Sequence, residues 1–177
     1  AMCLPMASGK THALVEHLSR NGYNKILVVV GRVSFGKKIH DDLKGLGFKF
    51  YDKVKSDKRE IKRLVCQVDS LHHFGKDWDI IIIDEIVTVL VHFGAKTFKK
   101  SRIVFELLRG ICRDVPKLIV MDAYMDKTDH VKWILESCGR SFTKIKSNAK
   151  TDCRLYLKLS DSDDFYNRIS SLVRDGY

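Results

Sequence analysis

Proline is scarce, with two in 177 residues, and no tract of low complexity occurs. That excludes long proline-rich linkers and argues against extended disorder. No apolar run approaches the roughly 18 residues of a membrane-spanning helix, so no membrane role is expected. No secretory leader is visible, and the first residues read as a truncated start. The five cysteines, at 3, 66, 112, 138 and 153, are widely spread, odd in number and never paired as Cys-x-x-Cys. They fit neither a disulfide framework nor a zinc ribbon and read as reduced thiols of an intracellular protein. His72 and His73 are adjacent, so they do not readily turn to one metal ion. Acid is locally scarce within a net charge of +10. Lys96, Lys99, Lys100 and Arg102 have no acid among them, and Arg140, Lys144, Lys146, Lys150, Arg154 and Lys158 face Asp152 alone. Such a surface favours a polyanion through steering and counterion release; a solvated face is the alternative for either cluster.

At this length, 45% hydrophobic content suits one globular domain. The run Pro5-Met6-Ala7-Ser8-Gly9-Lys10-Thr11 leads into the amphipathic stretch Ala13–Leu18. A glycine turn opening a helix aims backbone N–H groups and the positive helix end at an anion. Ala7, Ser8, Gly9, Lys10, Thr11 and His12 are the expected phosphate-facing residues. Lys10 would supply a charge to the β and γ phosphates of ATP and Thr11 a hydroxyl to Mg²⁺. The full phosphate-loop pattern asks for a glycine where Leu4 stands, and Gly-Lys-Thr also occurs at ordinary helix starts.

Trp78-Asp79-Ile80-Ile81-Ile82-Ile83-Asp84-Glu85 is the second half of the constellation. Four consecutive β-branched isoleucines predict a strand buried on both faces, as in a parallel sheet. Carboxylates at the carboxyl end of such a strand lie where α/β folds bind ligands. Asp84 is a candidate Mg²⁺ residue and Glu85 a candidate base for water. A solvated helix N-terminus would favour the same two acids.

Helices are predicted from about 10 to 20, 33 to 46, 86 to 92, 103 to 113, 128 to 138 and 161 to 173. Strands are predicted at 25–31, 48–51, 63–68, 79–84, 116–122, 141–146 and 153–159. Alternating strands and helices give an α/β fold of three layers, a doubly wound and mostly parallel sheet. Most aromatics fall at core-like spacings; Phe98, set among lysines, is the one best placed to stack on a base.

Taken in order, Pro-Met-Ala-Ser-Gly-Lys-Thr (5–11), Val-Val-Gly-Arg-Val-Ser-Phe (29–35), Gln-Val-Asp-Ser-Leu-His (67–72), Asp-Glu-Ile (84–86) and Met-Asp-Ala (121–123) resemble the herpesvirus-type replication origin-binding helicases and their large DNA virus relatives, within helicase superfamily two. The resemblance implies the first RecA-like, P-loop NTPase lobe of such an enzyme, spanning residues 1–150. Residues 151–177 would cross toward a second lobe that supplies an arginine finger. It implies that Lys10, Thr11, Asp84 and Glu85 act on ATP and Mg²⁺, and that Arg32 and Ser34 touch the nucleic-acid backbone. Gln67 and Ser70 would contact the strand or couple to it, and Asp122 and Ala123 would couple hydrolysis to movement. Partners would be single- or double-stranded DNA and other replication proteins, at a nuclear or cytoplasmic replication site of an infected cell. Tyr124 replaces the family's usual threonine and Ala7 its frequent glycine. The expected activity is Mg²⁺-assisted ATP hydrolysis driving translocation, slow in the isolated chain. A P-loop kinase and a degenerate, non-hydrolysing interaction module are the competing functions.

Overall fold

The computed structural model describes residues 2–3, 9–55, 58, 60–125, 129–141, 143 and 145–146. Their elements run β1 (Met2–Cys3), α1 (Lys10–Arg20), β2 (Ile26–Val30), α2 (Val33–Asp42), β3 (Lys49–Phe50), β4 (Arg63–Gln67), β5 (Ile80–Asp84), α3 (Ile86–His92), α4 (Ser101–Asp114), β6 (Lys117–Asp122), α5 (Asp129–Ser137) and β7 (Ile145–Lys146). The strands form one sheet in the order β3-β4-β2-β5-β6-β1-β7, and every pairing is parallel. Parallel pairing follows from the connections, because each strand returns through a helix or a long crossover.

Side-chain alternation builds the three layers. On β2 and β5, Ile26, Val28, Val30, Ile80 and Ile82 pack with Leu14 and Leu18 of α1 and Ile39 of α2. Leu27, Val29, Ile81 and Ile83 face the other way, onto Ile86 and Val89 of α3 and Val104, Leu108 and Ile111 of α4. All nine strand residues are at most 2% exposed. Each such burial contributes about 1.5–3 kcal/mol, which fixes the central strands and with them the carboxyl edge of the sheet.

Two expected strands are shorter than predicted. Residues 48–51 give only Lys49–Phe50, because the chain turns at Tyr51 into a 3-10 segment, Tyr51–Lys53. Among the described residues of 141–146, only Ile145–Lys146 is strand. Phe98 is the clearer correction. It is 6% exposed, stacked on Phe93 at 5.4 Å and tilted against His92 at 5.3 Å. Burying a phenyl ring outweighs displaying it when two partner rings lie below the same loop, so Phe98 cannot stack on a base. The predicted strand at 153–159, the helix at 161–173 and the crossover role of 151–177 lie outside the described residues.

Gly36 shows how tightly α2 lies on the sheet. A Cβ there would come within 2.9 Å of Phe50 Cε2 and 3.0 Å of Val30 Cγ2, on side chains only 2% and 1% exposed. Gly36→Ala gains about 1 kcal/mol of helix propensity and loses about 1–3 kcal/mol to overpacking. The expected net result is destabilisation, read as a lower urea midpoint with an unchanged slope.

Candidate functional site

The carboxyl ends of β5 and β6 meet the first turns of α1 and α2 around a cleft of about 380 Å³. Lys10, Thr11, Arg32, Asp84, Glu85, Asp122 and Ala123 line it, with Lys38, Asp42, Thr88 and Tyr124 among the rest of the wall. Two pieces of sequence more than seventy residues apart thus share one hollow. A larger, mainly apolar hollow of about 510 Å³ lies over β6 and beside α1, lined by Leu14, Leu118, Ile119 and Leu135 among others. That hollow is larger than the cleft, but chemistry favours the cleft, where carboxylates and cations converge.

Local structure explains how each group arrives. Gly9 has φ 78° and ψ 16° and is the N-cap of α1; that left-handed conformation is the one glycine adopts without strain. The N-cap makes no side-chain hydrogen bond and the first turn of α1 holds no acid, so the positive helix end there suits an anion. Glu85 is the one non-glycine at positive φ among the described residues, at φ 51° and ψ 56°. This conformation lets α3 begin one residue after β5 ends, at a cost of about 1–2 kcal/mol. Backbone strain of this kind collects at functional sites.

The electrostatics are those of crowded carboxylates. Asp84 Oδ1 accepts the Glu85 N–H at 3.0 Å. Burial pushes the Asp84 carboxyl above the ordinary range, aided by Asp122 and opposed by the Glu85 N–H and the Lys10 charge. Glu85 is likewise raised, by burial first and then by Asp84 and Asp122. The Thr88 hydroxyl, 3.4 Å from Glu85 Oε2, and Arg32 pull it the other way. Asp122, 4% exposed, accepts the Val87 N–H on Oδ2 at 2.9 Å and the Tyr124 N–H on Oδ1 at 2.7 Å. One carboxylate therefore ties β6 to the first turn of α3. Gly31 closes the same corner from β2, where a Cβ would sit 3.0 Å from Thr88 Cγ2 and 3.1 Å from the Val89 nitrogen.

Not every expected site residue reaches the cleft. His12 is exposed on α1 and absent from the wall, and Ser34 is exposed on the first turn of α2. Ala7 and Ser8 lie outside the described residues. Gln67 ends β4, two strands from β5, and its Oε1 accepts the Tyr51 hydroxyl at 3.1 Å. Ser70 follows it in the 3-10 segment Val68–His73. In that segment Asp69 Oδ1 lies 2.6 Å from His92 Nε2 at the end of α3; neither atom meets solvent or has another hydrogen-bond partner. Thr88 and the Asp69–His92 pair went unread in the sequence. Thr88 had a signal, standing three residues after Glu85 on a helix; the pair had none.

The family described as "Origin of replication binding protein" matches residues 2–145. A replication origin-binding protein of human herpesvirus 7 is 31% identical over 127 residues, which cover 70% of this chain and 16% of that protein. The chain thus spans about a sixth of that relative's length. Among solved structures, the UvsW helicase of bacteriophage T4 superposes with a TM-score of 0.50 at 16% identity, over 82% of this chain and 53% of that one. Saccharomyces cerevisiae Dbp5, bound to Nup159, Gle1 and ADP among others, gives a TM-score of 0.54 at 13% identity, over 82% and 43%. The fold is accordingly that of a RecA-like helicase lobe, and the chain belongs to the origin of replication binding protein family.

Proposed function

We propose that this chain is the nucleotide-binding motor lobe of a replication-associated DNA helicase, with ATP and Mg²⁺ held in the cleft between α1 and β5. The observation that carries this is the meeting of Lys10 and Thr11 with Asp84 and Glu85 around one hollow, where the Lys10 charge reaches the Asp84 carboxylate. Lys10 would hold phosphate oxygens as a point charge, with the positive N-terminal end of α1 beside it. The donor set fits magnesium: one carboxylate (Asp84) and one hydroxyl (Thr11), both hard oxygen ligands, leaving room for phosphate oxygens and water. The ion, when bound, neutralises developing phosphate charge.

Glu85 would orient the attacking water and take its proton. Its raised proton affinity brings the carboxylate closer to neutral pH, where a general base works best. Asp122 would fix the start of α3 and so the aim of Glu85, a positioning role that suits coupling between hydrolysis and strand movement. Arg32, beside Glu85 and exposed, would meet the nucleic-acid backbone. An arginine from a second lobe is worth about 10³–10⁵ in rate in related systems, so turnover by this chain alone should be slow. The setting would be an intracellular replication site of an infected cell, among other replication proteins.

Lys10→Ala tests the reading. Removing a charge-assisted contact worth about 1.5–3 kcal/mol should weaken binding of a fluorescent ATP analogue by roughly 10–100-fold. Equal affinity of variant and parent would overturn the nucleotide site and favour an interaction module. Product analysis separates the kinase: free phosphate means hydrolysis, a phosphorylated acceptor means transfer.

A further inference from the structure

The cleft leaves unused the basic turn between α3 and α4. Lys96, Lys99, Lys100 and Arg102 are all exposed, and none of the ion pairs among the described residues involves one of them. Elsewhere Arg20, Lys25, Arg109, Arg113 and Lys132 each sit against a carboxylate.

The fold carries more nitrogen bases to the same place. Lys100 Nζ lies 3.2 Å from His72 Nε2, and the His72 and His73 rings are 3.9 Å apart. Lys58 stands beside them, its Nζ 5.8 Å from the centre of the Phe74 ring. His73 is held below the ordinary histidine range, by burial first and then by His72, Lys58 and Lys100. The one acid in the Val68–His73 segment, Asp69, is taken by His92. Cations crowded with none of the described ion pairs on Lys96, Lys99, Lys100 or Arg102 repel one another in the free protein, and a polyanion would relieve that repulsion while releasing its own counterions.

Topology places this cluster on the carboxyl edge of the sheet. The Val68–His73 segment follows the end of β4. Asp114, the last residue of α4, precedes the start of β6 by only two residues, so the first turn of α4 lies at the opposite end, with the ends of β4 and β5. In the order β4-β2-β5 the strand that leads into the Val68–His73 segment lies two strand spacings, about 10 Å, from β5. Arg32 follows β2, the strand between them. Phe98, packed on His92 and Phe93, anchors the turn from beneath and leaves lysines, not a ring, on the outside.

We propose that the α3–α4 turn, with Lys58 and His72 beside it, grips the phosphate backbone of single-stranded nucleic acid, apart from the nucleotide cleft and without reading bases. The proposal rests on the motor-lobe reading, which supplies the partner. Charged side chains on phosphate oxygens position a strand but do not select its sequence.

The test is anisotropy of a labelled oligothymidylate with the 177-residue chain and its Lys99→Gln/Lys100→Gln variant, between about 50 and 200 mM salt. The variant should bind about tenfold more weakly at low salt, and losing two phosphate contacts should reduce the log–log salt slope by about 1.4. Binding of a fluorescent ATP analogue should stay unchanged and the melting temperature should not fall. Lys58→Gln, in a separate segment, should shift affinity and slope in the same direction. Parent and variants binding DNA alike would overturn the patch and leave the lobe reading standing. No DNA binding by the parent at low salt would overturn both. Polyglutamate, or phosphatidylcholine vesicles containing phosphatidylserine, displacing DNA as well per charge as DNA itself would overturn the assignment to nucleic acid.

Discussion

Glu85→Gln should lower ATP turnover by about 10²–10⁴-fold, the usual contribution of a positioned general base, without weakening nucleotide binding. The substitution keeps shape and removes only the proton-accepting charge. Glutamine meets the same left-handed backbone as glutamate, so local strain is unchanged. Single-turnover phosphate release from labelled ATP in the presence of DNA reads the first quantity, and binding of a non-hydrolysable analogue the second. Turnover close to the parent's would move the base to another residue.

The same variant has a stability signature with a definite sign. Burial and the charges of Asp84 and Asp122 raise the folded-state proton affinity of Glu85 above the ordinary value of 4.5. The folded state then holds more protons than the unfolded chain, so stability falls as pH rises through that window. Above the folded-state value the parent bears the full cost of a third charge beside two carboxylates; below 4.5 both states are protonated and the cost vanishes. Glu85→Gln should therefore melt higher than the parent at neutral pH, with the difference shrinking in acid. Greater stability together with lost turnover is the pattern expected where a site holds charge for chemistry rather than for folding.

The contrast between legible and illegible features has a physical basis. Ile80–Ile83 announced a buried central strand because four β-branched side chains in a row fit few other environments. Asp84 and Glu85 announced a site because carboxylates seldom end such a strand without cause. Lys10 and Thr11 were marked by local order alone. Pairings across the sheet carry no such mark. Nothing in the order of residues says that β1 lies between β6 and β7, or that β4, which ends at Gln67, stands two strands from β5. Phe98 was misjudged for a related reason. Its sequence neighbours are lysines, while its spatial neighbours are His92 and Phe93, and burial answers to the second set. His92 and Asp69 are separated by a loop, strand β5 and most of α3, so their 2.6 Å contact appears only in the fold.

Asp122 is where the same lesson has the largest effect on folding. Asp122→Ala should destabilise the chain by about 2–4 kcal/mol. Two acceptors vanish, and an orphaned buried N–H costs about 1–3 kcal/mol. The Val87 N–H, at the start of α3, has the larger share of that cost. Tyr124 is 52% exposed, so its N–H can turn to water. Loss of a side chain at a position 4% exposed adds a small cavity. Against these stands the relief of repulsion with Asp84 and Glu85, which Asp122 raises in both cases. Asp122→Asn separates the two effects, because it removes the charge and retains one carbonyl acceptor. If hydrogen bonding dominates, the order of urea midpoints is parent, then asparagine, then alanine. If repulsion dominates, asparagine rises above the parent while alanine still falls. Alanine as stable as the parent would mean that the tie between β6 and α3 contributes little, and with it the case for Asp122 as the residue that aims Glu85. Should the tie hold, the asparagine variant becomes the informative one for coupling. It would keep α3 anchored through one of its two hydrogen bonds, and DNA stimulation of turnover should drop in it more than basal turnover does.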